Sequence, residues 1–415
     1  MKVFKFGGAS VKDASAVENV AIILQSHVHP PVVVVVSAMG KATNALERIL
    51  NQYRNHLDHT AELLVLKHFH ASIMAGLFPK DHQVFKMIDA LFNDLESMLK
   101  REGYYDEVYD QVICYGELLS TVIVHQYLLL RNLSCLWVDA RDYIYTDSTF
   151  REGKVDWPKT CSAIGHLRQA LEENGFIITQ GFIGRSELGL TTTLGRDGSD
   201  FSAAIFASCL DAESVTIWKD VPGVMNADPK KITTVRVFPE LPFREAAEMT
   251  YYGASVIHPK TIKPLATHGI PLFVKSFDNP ALHGTRIHEC IIEELPPLIV
   301  FKENQCLISC KVTDYTFITE DHLRQVFSIL TDLNIRINVM QNSAISFSFC
   351  IDFRESKLKA LLAKLQPDFE VYYNTGLTLI TVKNYDAETF EFYRKRPGVL
   401  LEQSSRSTLQ VLVRM

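Results

Sequence analysis

The period of the apolar positions changes several times along the chain, and the changes mark its elements. Val3 to Phe6 reads as a short buried strand, Gly7-Gly8-Ala9-Ser10 as a turn, and Ala14 to Leu24 as an amphipathic helix, because strand-like spacing gives way to helical spacing. Pro31 followed by five valines (Val32 to Val36) predicts a central strand, and Ser37-Ala-Met-Gly40 turns into a helix from Thr43. A mostly helical stretch follows to residue 101. Beyond it, strand-like Leu133 to Val138, Phe176 to Thr179, Val215 to Trp218 and Leu272 to Val274 alternate with helical segments. That alternation predicts an α/β domain over 1–290, with a parallel or mixed sheet between helix layers. Ligands in such sheets bind at the carboxyl ends of the strands.

Around Asp278-Asn279-Pro280 and Pro296-Pro297 the pattern thins, so a new domain is expected near residue 298. The tail is α+β. It reads strand (Leu307 to Val312), helix (Glu320 to Leu333), two strands (Ile335 to Met340 and Ala344 to Asp352), helix (Ser356 to Leu365) and strand (Leu377 to Lys383), then a further short helix and strands. The echo is a weak internal repeat. It predicts one small module over 298–370 and a second, incomplete one over 371–415.

Composition narrows the function. With 47% hydrophobic and 22% charged residues and no low-complexity tract, the 415-residue chain should be filled by structured domains. A net charge of -6 with no concentrated Lys/Arg segment argues against nucleic acid as partner. The few apolar residues before Gly7 are too short for a signal-peptide core or a membrane span, which predicts a cytoplasmic protein. Eight cysteines lack any Cys-x-x-Cys pair, so reduced, mostly buried thiols are expected rather than a disulfide framework or a metal site. His56, His59, His68 and His70 are expected on solvated helix faces.

Candidate chemistry gathers in glycine-rich turns. Lys5-Phe6-Gly7-Gly8 ends a strand and opens a helix, so the backbone can approach a phosphate and Lys5 adds a positive charge. Thr191-Thr-Thr-Leu-Gly195-Arg196-Asp197-Gly198-Ser199-Asp200 is a second such loop. Capping of the next helix would explain Ser199 or Asp200 alone, but not three threonines, two glycines and an arginine. Arg196 supplies the planar fork that holds a carboxylate. Glu117, in Gly116-Glu117-Leu118-Leu119-Ser120, either complements a helix dipole or clamps a substrate ammonium. Trp218-Lys219-Asp220-Val221-Pro222-Gly223, with Asp228-Pro229-Lys230 after it, forms a turn-rich loop suited to a nucleotide.

Taken in order, these segments resemble the aspartokinase family of the amino acid kinase fold, and the resemblance covers essentially the whole chain. Val36-Ser-Ala-Met-Gly-Lys-Ala-Thr43-Asn44, Thr179-Gln-Gly-Phe-Ile-Gly-Arg185 and Glu245-Ala-Ala-Glu-Met-Thr-Tyr-Tyr-Gly-Ala254 through Ile257-His258-Pro259 belong to the same likeness. It implies a three-layer αβα sandwich followed by two ferredoxin-like ACT modules that bind amino-acid effectors. It also implies Lys5 and Asp200 as catalytic, and Thr43, Glu117 and Arg196 as holding aspartate. Phe6, Gly7, Gly8, Gly198, Ser199, Lys219, Asp220, Met225, Lys230 and Ser255 would join Lys5 in contacting ATP, with Mg2+ carried mainly by the nucleotide and no metal held by the protein.

Some positions depart from the family. Ser255 stands where relatives often carry Lys, Met225 where many carry Tyr, and Lys230 replaces a usual Arg. Lys231, Lys260 and Lys263 are candidates for a compensating charge. In the tail, Asn338 and Ala344 replace acidic residues of lysine-sensitive relatives, and a homodimer through the ACT-like modules is expected. The resemblance implies in-line transfer of the ATP γ-phosphoryl group to the aspartate side chain, a first step toward lysine, threonine and methionine. The alternative is a catalytically weak amino-acid sensor on the same fold.

Overall fold

The computed structural model describes residues 1–26, 30–254, 257–313 and 316–414. It divides into two compact units, Met1–Val224 with Val237–Ala247 and Val256–Ile291, and Met225–Arg236 with Glu248–Ser255 and Ile292–Met415.

The first unit starts with β1 (Lys2–Phe6), α1 (Ala14–Ser26) and β2 (Val32–Val36), then five helices: α2 (Ala42–Arg54), α3 (Thr60–Leu77), α4 (Val84–Leu99), α5 (Tyr105–Ile113) and α6 (Tyr115–Leu130). Next come β3 (Cys135–Val138), β4 (Tyr145–Thr146), α7 (Trp157–Gly165), α8 (Leu167–Asn174) and β5 (Phe176–Gln180). They are followed by β6 (Ile183–Ser186), β7 (Thr191–Thr193), α9 (Gly198–Leu210) and β8 (Ser214–Lys219). After β9 (Glu240–Pro242) and α10 (Phe243–Tyr251), whose residues 248–251 count with the second unit, lie α11 (Pro259–Thr267), β10 (Leu272–Ser276) and β11 (Thr285–His288).

Eight of these strands form one sheet, in the order β3-β5-β2-β1-β8-β10-β11-β9. It is parallel from β3 to β10. All five valines of β2 are fully buried, as an unalternating apolar run requires of a strand covered on both faces. On β1 the faces differ: Phe4 and Phe6 pack against Trp218 of β8, while Lys5 points the other way. Val3 to Phe6 are buried as the sequence predicts, and the register aligns the ends of β1, β2, β5 and β8: Phe6 pairs with Val36 and Trp218, and Val36 with Gln180.

Helices α5 and α6 make a continuous apolar stretch, Tyr105–Leu130, of membrane-spanning length and composition. Its most apolar 18-residue window is 89% buried inside the protein, as a core helix is. Two expectations are corrected here. Cys161 of α7 and Cys209 of α9 form a disulfide, with Cα atoms 4.7 Å apart, although their 48-residue separation gives no local signal of pairing. His70 is fully buried, its Nδ1 2.9 Å from the Leu66 carbonyl oxygen, and burial pushes its imidazole down to about 4. It is a neutral core residue.

The second unit contains β12 (Leu298–Lys311), α12 (Glu320–Asp332), β13 (Ile337–Asn342), β14 (Ser346–Asp352), α13 (Glu355–Leu365) and β15 (Glu370–Lys383). It ends with α14 (Ala387–Arg394), β16 (Val399–Ser404) and β17 (Thr408–Arg414). One antiparallel sheet, β13-β14-β12-β15-β17-β16, joins all six strands. The second half of β12 serves a core around Ile308, Phe349 and Leu361, with α12 and α13. Its first half, through Ile299 and Phe301, packs on a core of Ile380, Leu409 and Val411. Strand β12 therefore belongs to both cores, and its residues 298–302 pair with 379–383 of the later segment.

Candidate active site

The aligned ends of β1 and β8 put two lysines on one side of the sheet, facing α9. Lys5 Nζ lies 2.7 Å from Asp200 Oδ1, and Lys219 Nζ lies 3.9 Å from Asp200 Oδ2. Burial would push the Asp200 carboxyl up, but Lys5 and then Lys219 outweigh it and hold Asp200 below the ordinary carboxylate range. Burial pushes the Lys219 ammonium down against the pull of Asp200, and Lys5 adds to the push. Lys5 and Lys219 both flank the Asp200 carboxylate, so two ammonium groups stand at this corner where a phosphate would meet them.

The turns around it are built for close approach. A Cβ on Gly8 would lie 2.7 Å from the Ala38 carbonyl oxygen and 2.9 Å from that of Gly40, so no larger residue fits between the β1 and β2 turns. Gly7 lies beside Lys5, its would-be Cβ 3.3 Å from Nζ. Phe6 is fully buried against Trp218, and so supports the turn rather than facing a ligand. Helix α9 opens at Gly198, with Ser199 and Asp200 in its first turn; backbone N–H groups there have no partner along the helix and favour an anion.

Across the β2 turn, α6 brings in Glu117. Its Oε1 accepts a 3.4 Å hydrogen bond from the Ala38 N–H, and Oε2 is buried with no partner. Burial pushes this carboxyl up to about 8, against weak help from backbone N–H groups. The preceding Gly116 allows the contact: a Cβ there would come 3.0 Å from Ala38 Cβ, and 3.8 Å from Thr43 Oγ1. Thr43, half-buried on α2, is thereby a neighbour of this corner. Arg196 is not gathered in. Its side chain is 79% exposed and its ion pair is with adjacent Asp197, at 3.7 Å.

The remaining nucleotide candidates divide. Asp220 is exposed and lines a cavity of about 510 Å³ with Ser10, Asp13, Asn19, Phe277 and Asp278. Met225 and Lys230 belong to the second unit, where the Lys230 N–H donates to Asp228 Oδ1 at 2.9 Å. Ser255 lies outside the described residues. Of the candidate replacement cations, Lys231 is paired with Glu303 in the second unit. Lys260 reaches Glu152 at 3.5 Å in the first.

Two residues near the site carry no signal in the linear pattern. Buried Asp110 of α5 accepts the Arg151 and Thr193 N–H groups at 2.9 and 2.8 Å and the Thr193 hydroxyl at 2.8 Å, pinning the strand that leads into Arg196. Burial exceeds these bonds and pushes Asp110 up to about 6. Phe182 has φ +70°, a costly conformation for an aromatic residue, and is held by hydrogen bonds from its N–H to Ser202 Oγ and from the Leu194 N–H to its carbonyl. Asp110 lies 83 residues from Thr193, and strain at Phe182 follows from its neighbours' packing, so neither is visible one residue at a time.

Comparison with known proteins gives a consistent picture. The amino acid kinase family model matches residues 1–276. The lysine-sensitive aspartokinase 3 of Escherichia coli is 31% identical over 398 residues, covering 92% of this chain and 87% of its own. A crystal structure of E. coli aspartokinase III with aspartate and ADP superposes with TM-score 0.84 at 29% identity, covering 100% of this chain and 96% of that one. The chloroplastic bifunctional aspartokinase/homoserine dehydrogenase 1 of Arabidopsis thaliana is 29% identical over 88% of this chain, which spans 42% of that longer protein.

Proposed function

The chain belongs to the amino acid kinase family and is an ATP-dependent aspartate kinase, and we propose that Lys5, Asp200 and Glu117 run its reaction, transfer of the γ-phosphoryl group of ATP to the side-chain carboxylate of L-aspartate. The observation that carries this reading is the buried Lys5–Asp200 pair at the mouth of β1, with Lys219 beside it. An ionised carboxylate is already a nucleophile, so no general base is required. The tasks left to the protein are alignment and neutralisation of the negative charges that converge in the transition state. Asp200 fixes the Lys5 ammonium, and Lys5 meets the transferring phosphoryl oxygens. Gly7, Gly8 and the first turn of α9, with Gly198 and Ser199, take the nucleotide phosphates. Lys219 and Asp220, at the end of β8, extend the nucleotide contacts.

At the acceptor end Glu117 takes the substrate ammonium, Thr43 stands beside it, and Arg196 swings onto the α-carboxylate when aspartate enters. Magnesium would ride on the nucleotide phosphates and draw charge from the γ-phosphorus; Asp200, turned toward two lysines, is poorly placed to hold it. The product is 4-phospho-L-aspartate, made in the cytoplasm.

The tail, 298–370 with 371–415, reads as a pair of ACT-like modules that sense an amino acid and join two subunits. Asn338 is already engaged, accepting from Lys302 at 2.8 Å and donating to Gln305 and Asp352, and Lys302 pairs with Asp352 at 2.9 Å. A resident lysine thus occupies the local carboxylate, which weakens capture of a free one. A light-scattering mass equal to a monomer at every concentration would remove the dimer.

The deciding experiment is ATP- and aspartate-dependent acyl phosphate formation, trapped with hydroxylamine, with glutamate and no-substrate controls. Hydroxamate with aspartate alone is expected. Folded protein that binds nucleotide and yields none would make the chain a sensor instead.

A further inference from the structure

At the edge of the large sheet, far along the chain from the glycine turns, three donor side chains of different chemistry converge. Glu240 begins β9, His288 ends β11, and Cys290 follows two residues on; one ligand atom from each lies within 4.8 Å of the others. β9 and β11 pair in parallel, with Arg286 opposite Glu240 and His288 opposite Pro242, so the strand register itself carries Glu240 and His288 to one place. We infer that Glu240, His288 and Cys290 form a binding site for a divalent transition-metal ion, zinc in its chemistry, with a water as fourth ligand.

A plain ion pair does not account for the arrangement. His288 Nε2 stands 3.6 Å from Glu240 Oε2, beyond hydrogen-bond reach, and is buried with no hydrogen-bond partner. A buried, unpartnered imidazole nitrogen facing a carboxylate, with a thiol close to the pair, is the setting of a metal ligand. Thiolate, imidazole and carboxylate together suit zinc and not magnesium, which prefers oxygen ligands alone, so this ion is distinct from the one that accompanies ATP. Tetrahedral coordination at ~2.0–2.3 Å places ligand atoms roughly 3.5 Å apart; His288 and Glu240 already stand at 3.6 Å, and with all three atoms within 4.8 Å modest side-chain rotation closes the set. Arg286 Nη1 is 3.9 Å from the other Glu240 oxygen and would remain on that atom while Oε2 turns to the ion.

Binding through the thiolate sulfur releases the Cys290 proton to solvent. The bound ion would fasten the short edge strand β9 to β11, a place where three-residue pairing alone is weak.

The test uses the full chain, stripped with a chelator and titrated with Co2+. A single equivalent giving a thiolate-to-cobalt charge-transfer band and tetrahedral visible bands, both displaced by Zn2+, is expected. Cys290→Ser should abolish the charge-transfer band, and His288→Ala and Glu240→Gln should each weaken Co2+ binding at least tenfold, with circular dichroism confirming that every variant is folded. No saturable Co2+ band in the wild type, or one that survives Cys290→Ser, would overturn the site. Neither result depends on kinase activity.

Discussion

Asp200 and Glu117, which the proposed reaction assigns to its phosphoryl and acceptor ends, are two carboxylates of equal exposure, 3% each, and their acidities move in opposite directions. Asp200 has Lys5 and Lys219 against it and stays ionised; Glu117 has a single long hydrogen bond and is pushed up to about 8. Burial acts the same way on both, so what separates them is whether the protein supplies the counter-charge. At the phosphoryl end it does, because that charge is needed in every turnover and must not reorganise. At the acceptor end it leaves the place to the substrate. An ammonium arriving beside Glu117 would complete an ion pair that the empty protein lacks, which makes selection of an amino acid part of the site's own electrostatics.

The largest effect should come from removing the supplied charge. Lys5→Ala is expected to lower kcat on the order of 10²-fold or more, the usual consequence of losing one preorganised electrostatic contact. Turnover equal to wild type would mean that Asp200 and its lysines are structural. A smaller effect is expected at the other end, since Glu117→Gln resembles the protonated side chain already present in the empty site. Thermal stability near neutral pH should hardly change, while KM for aspartate rises roughly tenfold or more, as for a lost charged hydrogen bond, and KM for ATP stays put. A large drop in Tm with unaltered KM would reverse the assignment.

The finest discrimination is a proton count. Below about pH 8 the empty site keeps Glu117 protonated, and a bound ammonium favours its ionised form, so aspartate binding must release a proton. Affinity therefore increases as pH rises toward 8 and levels off above it. Calorimetry near pH 7 in buffers of differing ionisation heat should show that release, and Glu117→Gln should remove it; a heat of binding independent of buffer would show that Glu117 does not meet the ammonium.

Much of this was legible in the residues. The strand, glycine turn and helix from Val3 to Leu24 lie where the change of period puts them, and β5, β8 and β10 match their expected positions within a residue or two. Lys5 and Asp200, 195 residues apart, are linked through the family resemblance, since the glycine loops mark each turn but not which side chains meet. Other features have no such signal. Strand β12 was expected only from Leu307, because Lys302-Glu303-Asn304-Gln305 breaks its apolar run; there Asn304 adopts φ +55° and the register shifts, yet the strand continues. The early half of β15 is likewise hidden by polar Asn374-Thr375 and by Gly376 at φ +68°. Cys161–Cys209 and the burial of His70 arise from helix packing alone. So does the acidity of Glu117, whose helix-start position equally suited a solvated residue.

The placement of β1 in the middle of its sheet also sets a timetable for synthesis. Its partner β2 leaves the ribosome soon after it, but β8, on its other side, begins at Ser214. At ~5–20 residues per second, about 200 residues take roughly 10–40 s. For that interval the five-valine strand and its neighbour have an open edge and Lys5 has no carboxylate to answer it, so the nascent chain, well before it is an enzyme, is a client for whatever shields hydrophobic strands at the ribosome exit.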